Sequence, residues 1–357
     1  MNKIKVATFN AEWMTSIFGG KSTEWDGTIH QSFPGRKIGP ITLAPIGNVP
    51  NLCKRIASVI QQVDPDFLGI EEGPPLIDQM KLFVRDYLNN GYAVFQSNKR
   101  DQSIFMLVRK SHAQSITQVL PDDPELALLK KQFNYYPWIG YQLKDRKKHS
   151  FYRIPLVLKF KPEADTELQF VVVHTKSEYS LLQKKEQWEK KDKVAVLDAL
   201  DARQKLSAEV CQLRRYIDGQ LPTNDPKKGL VVMGDFNDGP FQDQMEEEFL
   251  LHSILDELVG SFLKPNSHLT HAMDPVKLAQ EWTIEFPDPM QDDKPNKEIV
   301  DHILVSPSVI SGPDFSLVKG SCIVEHNIYN NACAPGSSTN RELRPSDHRP
   351  VSAVIEY

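Results

Sequence analysis

The residues most suited to chemistry lie in one short run, Val231-Val232-Met233-Gly234-Asp235-Phe236-Asn237-Asp238-Gly239-Pro240. Three apolar residues read as the end of a buried strand. Gly234 lets the backbone turn, and Gly239-Pro240 ends the segment. Asp235 and Asn237 are two residues apart, a spacing that points both side chains to one side of an extended segment. A carboxylate there suits a hard cation such as Mg²⁺. An amide there holds a phosphate oxygen or a nucleophilic water without adding charge. The same run also reads as a polar turn after a strand, so its meaning depends on what the rest of the chain supplies.

Other apolar runs end in residues of similar chemistry. Residues 4–9 read as a first strand that delivers Asn10 and Glu12, again two apart. The short strand 66–70 ends in Glu71-Glu72. Adjacent acids face opposite ways, and Glu72 is the one expected to reach a shared site. Strand 151–160 carries Arg153 at its start, where a guanidinium could grip a phosphate with two prongs. Strand 167–173 ends in His174, which reads as a core or a catalytic histidine. Residues 299–305 hold Asp301 inside an apolar strand, a costly place for a carboxylate unless it is paired, and a histidine is the natural partner. Near the C-terminus, two prolines fix the backbone around Asp347 and His348 in Arg344-Pro345-Ser346-Asp347-His348-Arg349-Pro350.

The elements that carry these ends alternate between strands and helices. Helices are expected at 51–63, 76–89 and 179–218, the last as one helix or two. Further strands are expected at 92–97, 103–109, 114–120, 229–233, 315–324 and 351–356, with a short one at 282–284. Residues 14–50 hold six glycines and four prolines and no helical period. They read as an inserted surface loop with aromatic tips Phe18, Trp25 and Phe33. The segment 326–345 reads as a polar loop. The segment 143–153 is locally basic (Lys144, Arg146, Lys147, Lys148, Arg153 against Asp145), either a phosphate-attracting rim or a solvated loop. No repeat or linker divides the chain, so one α/β domain over 1–357 is expected.

Composition narrows the classes. With 357 residues, 40% hydrophobic and 25% charged, the chain is ordinary for a globular protein. No apolar run approaches the ~20 residues that cross a bilayer. The N-terminus shows no signal-peptide pattern, so a cytoplasmic location is expected. Four cysteines form no CxxC pair, which argues against a zinc site or a disulfide frame. The net charge of −5 disfavours a purely electrostatic nucleic-acid binder but not a nucleic-acid enzyme, since carboxylates at a metal site contribute to it. An oxygen-rich donor set suits Mg²⁺ or Mn²⁺ and is poor for zinc.

The blocks Thr8-Phe9-Asn10-Ala11-Glu12, Gly69-Ile70-Glu71-Glu72, Tyr152-Arg153-Ile154-Pro155, Val173-His174-Thr175-Lys176-Ser177, Gly234-Asp235-Phe236-Asn237, Val300-Asp301-His302-Ile303-Leu304-Val305-Ser306 and Ser346-Asp347-His348-Arg349-Pro350 span almost the whole chain. In wording and order they resemble the endonuclease/exonuclease/phosphatase superfamily, with the DNase I-like fold. The resemblance implies a four-layer α/β sandwich, two mixed β-sheets face to face with helices outside. It implies hydrolysis of a phosphoester with Mg²⁺ (or Mn²⁺). By resemblance, Glu72 is the principal metal carboxylate, with Asn10, Glu12 and Asp347 near the metal or its waters. Asp235 orients or deprotonates the attacking water, and Asn237 holds it or a phosphate oxygen. His348 contacts the scissile phosphate with Asp301 as its partner, His174 is the second histidine, and Arg153 lies near the phosphate.

Glu12 stands where many members carry Asp, and Glu71 where many carry Gln. No clear counterpart exists of the tyrosine that abasic-site repair members place near the leaving group, though Tyr135, Tyr136, Tyr141 and Tyr152 are close by in sequence. The leading expectation is a nuclease or phosphodiesterase acting on nucleic acid, with no obligate protein partner. The alternative is a phosphatase or sphingomyelinase-like hydrolase of a small or lipid phosphoester, and a third reading is a non-catalytic binding module.

Overall fold

A computed structural model describes the chain except residues 1, 21–22, 24, 39–40, 121, 136–145, 222–224, 241–243, 250–252, 289, 291–292 and 337–339. Tyr136, Tyr141, Lys144 and Asp145 therefore lie outside the described residues. Two large mixed sheets dominate. The first runs Ser316–Leu317, Val351–Glu356, Lys3–Asn10, Phe67–Gly73, Ser103–Arg109, Tyr92–Gln96, with Ile323–Val324 also paired to the C-terminal strand. The second runs Thr270–His271, Asp301–Val305, Lys228–Asp235, Glu167–His174, Leu156–Phe160, Ile116–Gln118. Each holds one parallel pair at its centre: Lys3–Asn10 beside Phe67–Gly73, and Glu167–His174 beside Lys228–Asp235.

Strand alternation sorts the side chains into layers. Ile4, Val6, Phe67, Leu168, Phe170, Val172, Val231, Met233, Ile303 and Val305 share one fully buried cluster between the sheets. The opposite faces of the same strands meet the helices. Ala7, Phe9, Leu68 and Ile70 pack under Val49–Val63 and Ile77–Tyr87. Val171, Val173, Leu230, Val232 and Leu304 pack under the 28-residue helix Lys193–Gln220. The result is helix, sheet, sheet, helix, the four layers expected.

Several local expectations change. The expected tips Phe18 and Phe33 are 1% and 2% exposed and belong to the first sheet's outer core, while Trp25 packs edge-on against Phe18. The apolar content of 14–50 thus faces inward, because the sheet's outer face is wider than one helix pair covers. The strand expected from 151 begins only at Leu156, since Pro155 has no N–H to add to the ladder. The 179–218 helix divides into Lys185–Glu189 and Lys193–Gln220, the second capped by the Asp192 carboxylate. Residues 326–332, read as loop, form a helix that buries Tyr329 and Ala332. All four cysteines are free.

Candidate active site

The inter-sheet layer is apolar up to one edge and polar at that edge. Continuing the inward alternation past Val6, Phe67, Val172, Met233 and Ile303 reaches Thr8, Asn10, Glu71, His174, Asp235 and Asp301. Three of these form one rung across adjacent strands, because His174 pairs with Asp235 and Asp235 with Asp301. Neighbouring strands lie about 4.8 Å apart, so the three side chains stand side by side on the same face. Gly234, at φ +141°, sits one position before; a Cβ there would fall 2.0 Å from the Val173 carbonyl oxygen. Only glycine fits that approach.

The first sheet supplies the opposing side. Asn10 Nδ2 donates to Asp235 Oδ2 (2.8 Å) and to Glu72 Oε1 (3.4 Å). Trp13 N donates to Glu72 Oε2 (2.8 Å). Simple alternation turns Glu71, not Glu72, inward. Glu71 is indeed fully buried, with Thr8 Oγ1 donating to its Oε1 at 2.8 Å. Glu72 reaches the site because the ladder slips between Ile70 and Gly73 and its own backbone is left-handed, φ +56°. Glu12, Trp13 and Asn237 share that conformation, at φ +45°, +46° and +52°. Four non-glycine residues in this sparsely populated region are grouped at one edge, where backbone strain is typically functional.

His348 arrives on the loop before the C-terminal strand. Its backbone N donates to Ser346 Oγ (3.0 Å), and that hydroxyl donates to the Asn10 carbonyl (2.6 Å). His348 Nδ1 and Asp301 Oδ2 are 2.8 Å apart. Burial disfavours the charge on His348, yet Asp301 first, then Asp235 and Asp347, hold it well above the ordinary imidazole range. His174 behaves oppositely. Burial, then Arg153 and His348, push it well below that range, so its charged form is disfavoured. Its Nε2 stands 3.5 Å from Asp235 Oδ2 and 4.0 Å from Glu72 Oε1. Asn237 N donates to Asp235 Oδ1 (2.8 Å) and its Nδ2 to the Thr175 carbonyl (3.2 Å), which ties the amide to the site.

The carboxylates divide by environment. Glu72 is raised to about 7 by burial and then by repulsion from Asp347. Asp235 is raised to about 6, by burial first, with His348 opposing and Asp301 adding to the rise. Asp347 feels burial too, but His348, Arg344 and Arg341 hold it below the usual range. Asp235, Asp301 and His348 also bring potential ligand atoms within 4.8 Å of one another. The 2.8 Å bond between Nδ1 and Oδ2 fills the gap an ion would need there. Glu72 and Asp347, which repel each other and are each only partly buried by surface area, fit a cation better.

Two expected positions hold other partners. Glu12, which the resemblance places near the metal or its waters, is met by Arg344 (3.1 Å) and Arg341 (3.3 Å), so two guanidinium groups stand against its charge. Arg153 is 7% exposed and donates to the carbonyls of His174 and Thr175 and to Gln102 Oε1. It braces the turn after His174 and has little left for the two-pronged phosphate grip read from the sequence. Arg341 was missed altogether. It donates to the carbonyls of Ala11, Glu12, Arg344 and Pro345, tying the Asn10 turn to the His348 loop. Glu209 was missed as well. Its carboxylate meets His149 Nε2 and Lys176 N, each at 2.8 Å. A sequence signal existed for it: Glu209 lies on the apolar stripe of Leu206, Val210 and Leu213, where an acid needs partners.

No family model matches the chain, and no curated protein does. Solved structures are similar over its whole length. TDP2 from D. rerio complexed with single strand DNA product is 10% identical, covers 100% of both chains and has a TM-score of 0.47. An endonuclease/exonuclease/phosphatase from Bacteroides vulgatus is 14% identical over 100% of this chain and 99% of that one, with a TM-score of 0.46. The human Nocturnin catalytic domain with bound sulfate anion is 14% identical over 99% and 94%, with a TM-score of 0.47. With two mixed sheets face to face and helices on both outer faces, the chain has the four-layer α/β sandwich architecture expected of a DNase I-like fold.

Proposed function

We propose that the chain is a single-domain, divalent-cation-dependent hydrolase of phosphodiesters, acting on nucleic acid. The observation that carries this reading is the buried His348–Asp301 pair beside the Asn10–Asp235 bond and Glu72. Such a set can offset charge on a phosphate, take a proton from water and bind a hard cation within a few ångströms.

Glu72 and Asp347 would hold Mg²⁺ or Mn²⁺, with Asn10 steadying Glu72 through its amide. The bound cation would neutralise charge on a non-bridging oxygen. Asn237 Oδ1 accepts from the attacking water, and Asp235, fixed by Asn10 and the Asn237 N–H, takes its proton. Asp301 fixes the Nδ1 side of His348, so Nε2–H points to the phosphate and donates as negative charge develops. His174 lies behind the Asp235 carboxylate and donates toward the phosphate or the leaving group.

A second reading has its own support. A cleft of about 590 Å³ adjoins Asp238 and Gly239, next to Asn237. Among the described residues Glu178, Asp238, Glu281, Asp288, Glu298 and Lys297 line it, with Trp282 and Phe286 among its apolar residues; Glu178 is paired with Arg203 (2.8 Å) and Glu281 with His326 (2.7 Å), and the lining stays acidic on balance. That lining repels a continuing polyanion and suits a neutral or cationic alcohol, as in a lipid phosphoester.

Purified protein incubated with plasmid DNA, RNA oligomers, sphingomyelin and inositol phosphates, with Mg²⁺ or with EDTA, separates the readings. EDTA-sensitive cleavage of nucleic acid supports the first. Cleavage of sphingomyelin alone moves the assignment to the second. Turnover of nothing in the panel with either cation leaves a binding module.

A further inference from the structure

Residues 151–153 carry an aromatic platform whose ring centre lies 5.9 Å from the Arg153 guanidinium. Tyr152 is 50% exposed between Phe151 and Arg153, which are 5% and 7% exposed. Its carbonyl accepts from Arg100 Nε (2.9 Å) and Asn98 Nδ2 (3.1 Å), and Asn98 Oδ1 accepts from Ile154 N (2.8 Å). The Arg100 guanidinium lies 5.1 Å from the centre of the tyrosine ring. Two loops, one from each sheet, therefore fix the backbone that carries the ring, and Arg100 lies over the ring itself. A half-exposed aromatic held this firmly is unusual for a solvated loop.

The platform is continuous with the site. Arg153 donates to the His174 and Thr175 carbonyls, and Thr175 O also accepts from Asn237. Besides Arg100 and Arg153, the two segments that meet at the ring also carry the exposed Lys99, Arg146, Lys147 and Lys148. Asp101 is the sole acid in 97–102 and 146–153, and Lys147 also lies 3.7 Å from Asp201. Cations that track a backbone, around a ring on which a base can stack, are how single strands are bound without reading sequence.

We infer that Tyr152, backed by Arg100, is a stacking subsite for an unpaired base next to the scissile phosphate, so that the substrate is single-stranded nucleic acid. This rests on the nucleic-acid reading above and deepens it. The perturbations are Tyr152→Ala, Tyr152→Phe and a single-stranded oligonucleotide in which one nucleotide carries an abasic spacer, moved along the strand. Affinity is measured by fluorescence anisotropy in EDTA, and KM and kcat in Mg²⁺.

Tyr152→Ala weakens the intact strand about 5- to 100-fold in affinity, the range for loss of one stacked base. Tyr152→Phe stays within about twofold of wild type. The spacer, at one position only, costs wild type the same factor and costs Tyr152→Ala nothing more. Equal losses of Tyr152→Ala on intact and spacer strands would make the residue structural and overturn the subsite. So would binding to anionic vesicles without binding to any oligonucleotide. Because affinity is read without turnover, loss of the subsite and loss of the hydrolase reading remain distinct results.

Discussion

Replacing Asp301 by Asn keeps the side-chain volume and an acceptor for His348 but removes the charge that sustains the imidazolium. Asp301 is fully buried, His348 is 6% exposed, and their 2.8 Å bond has no solvent to replace it. Breaking a buried pair by removing one partner typically costs about 3–5 kcal/mol. Asp235 and Asp347 remain beside His348 and also favour its charge, so the lower end, about 3 kcal/mol, is expected. The sign follows from linkage. His348 is raised in the folded state, so its stabilisation is complete below the unfolded value of about 6.5 and is lost as pH rises through the folded one. Urea denaturation should therefore show the largest gap between wild type and Asp301→Asn at pH 6, narrowing toward strongly alkaline pH. Turnover should fall about 10²–10³-fold, the usual loss when one charge-stabilising donor goes. The deficit should grow as pH rises, because the variant's histidine, without the Asp301 charge, loses its proton at lower pH than the wild type's. A variant within threefold of wild type at both pH values would refute the dyad.

Other outcomes follow from the same geometry. Glu72→Gln should weaken Mg²⁺ or Mn²⁺ binding on the order of 100-fold or more, read by calorimetry, since even outer partners of a metal site cost 10–100-fold. Because Glu72 is raised to about 7, wild-type metal affinity should climb roughly tenfold per pH unit below 7 and level off above it, as the cation competes with one proton. Unchanged affinity across pH 5–8 would remove Glu72 from the metal. Arg153→Gln should lower kcat with little change in KM or its salt dependence, as expected of a brace; a rise in KM with a shallower salt slope would restore the phosphate grip. Arg341→Met should cost about 3 kcal/mol in urea unfolding, leaving Glu12 with one cation and four carbonyls without a donor. Adding Glu12→Gln should recover part of that loss, and no recovery would show that the carbonyl bonds dominate.

The period-two alternation made the two sheets legible, and residues at strand ends announced the site. Asp301 is the clearest instance: an acid inside Ile-Val-Asp-His-Ile-Leu-Val demanded a partner and has His348. What stayed hidden depends on backbone geometry or on pairings between distant loops. Between Glu71 and Glu72 the sequence offers no decision, since simple alternation turns Glu71 inward and only a ladder slip brings Glu72 to the site. Arg341 and Arg344 sat in a polar stretch with no periodicity to mark them. The hairpin Ile284–Asp288 with Lys294–Glu298, which borders His348 through a bridge at Ile284, carries prolines and charges that mask its strands.

The single rung that carries His174, Asp235 and Asp301 has a consequence for how the protein can be studied. A slip of one residue between any two of those strands would turn an acid or the imidazole into the helix layer while the sheet stayed nearly as well bonded. Circular dichroism would scarcely register such a misalignment. Recovery of the proposed hydrolysis after dilution from denaturant would, so that turnover doubles as a gauge of whether the central strands have annealed in the right alignment.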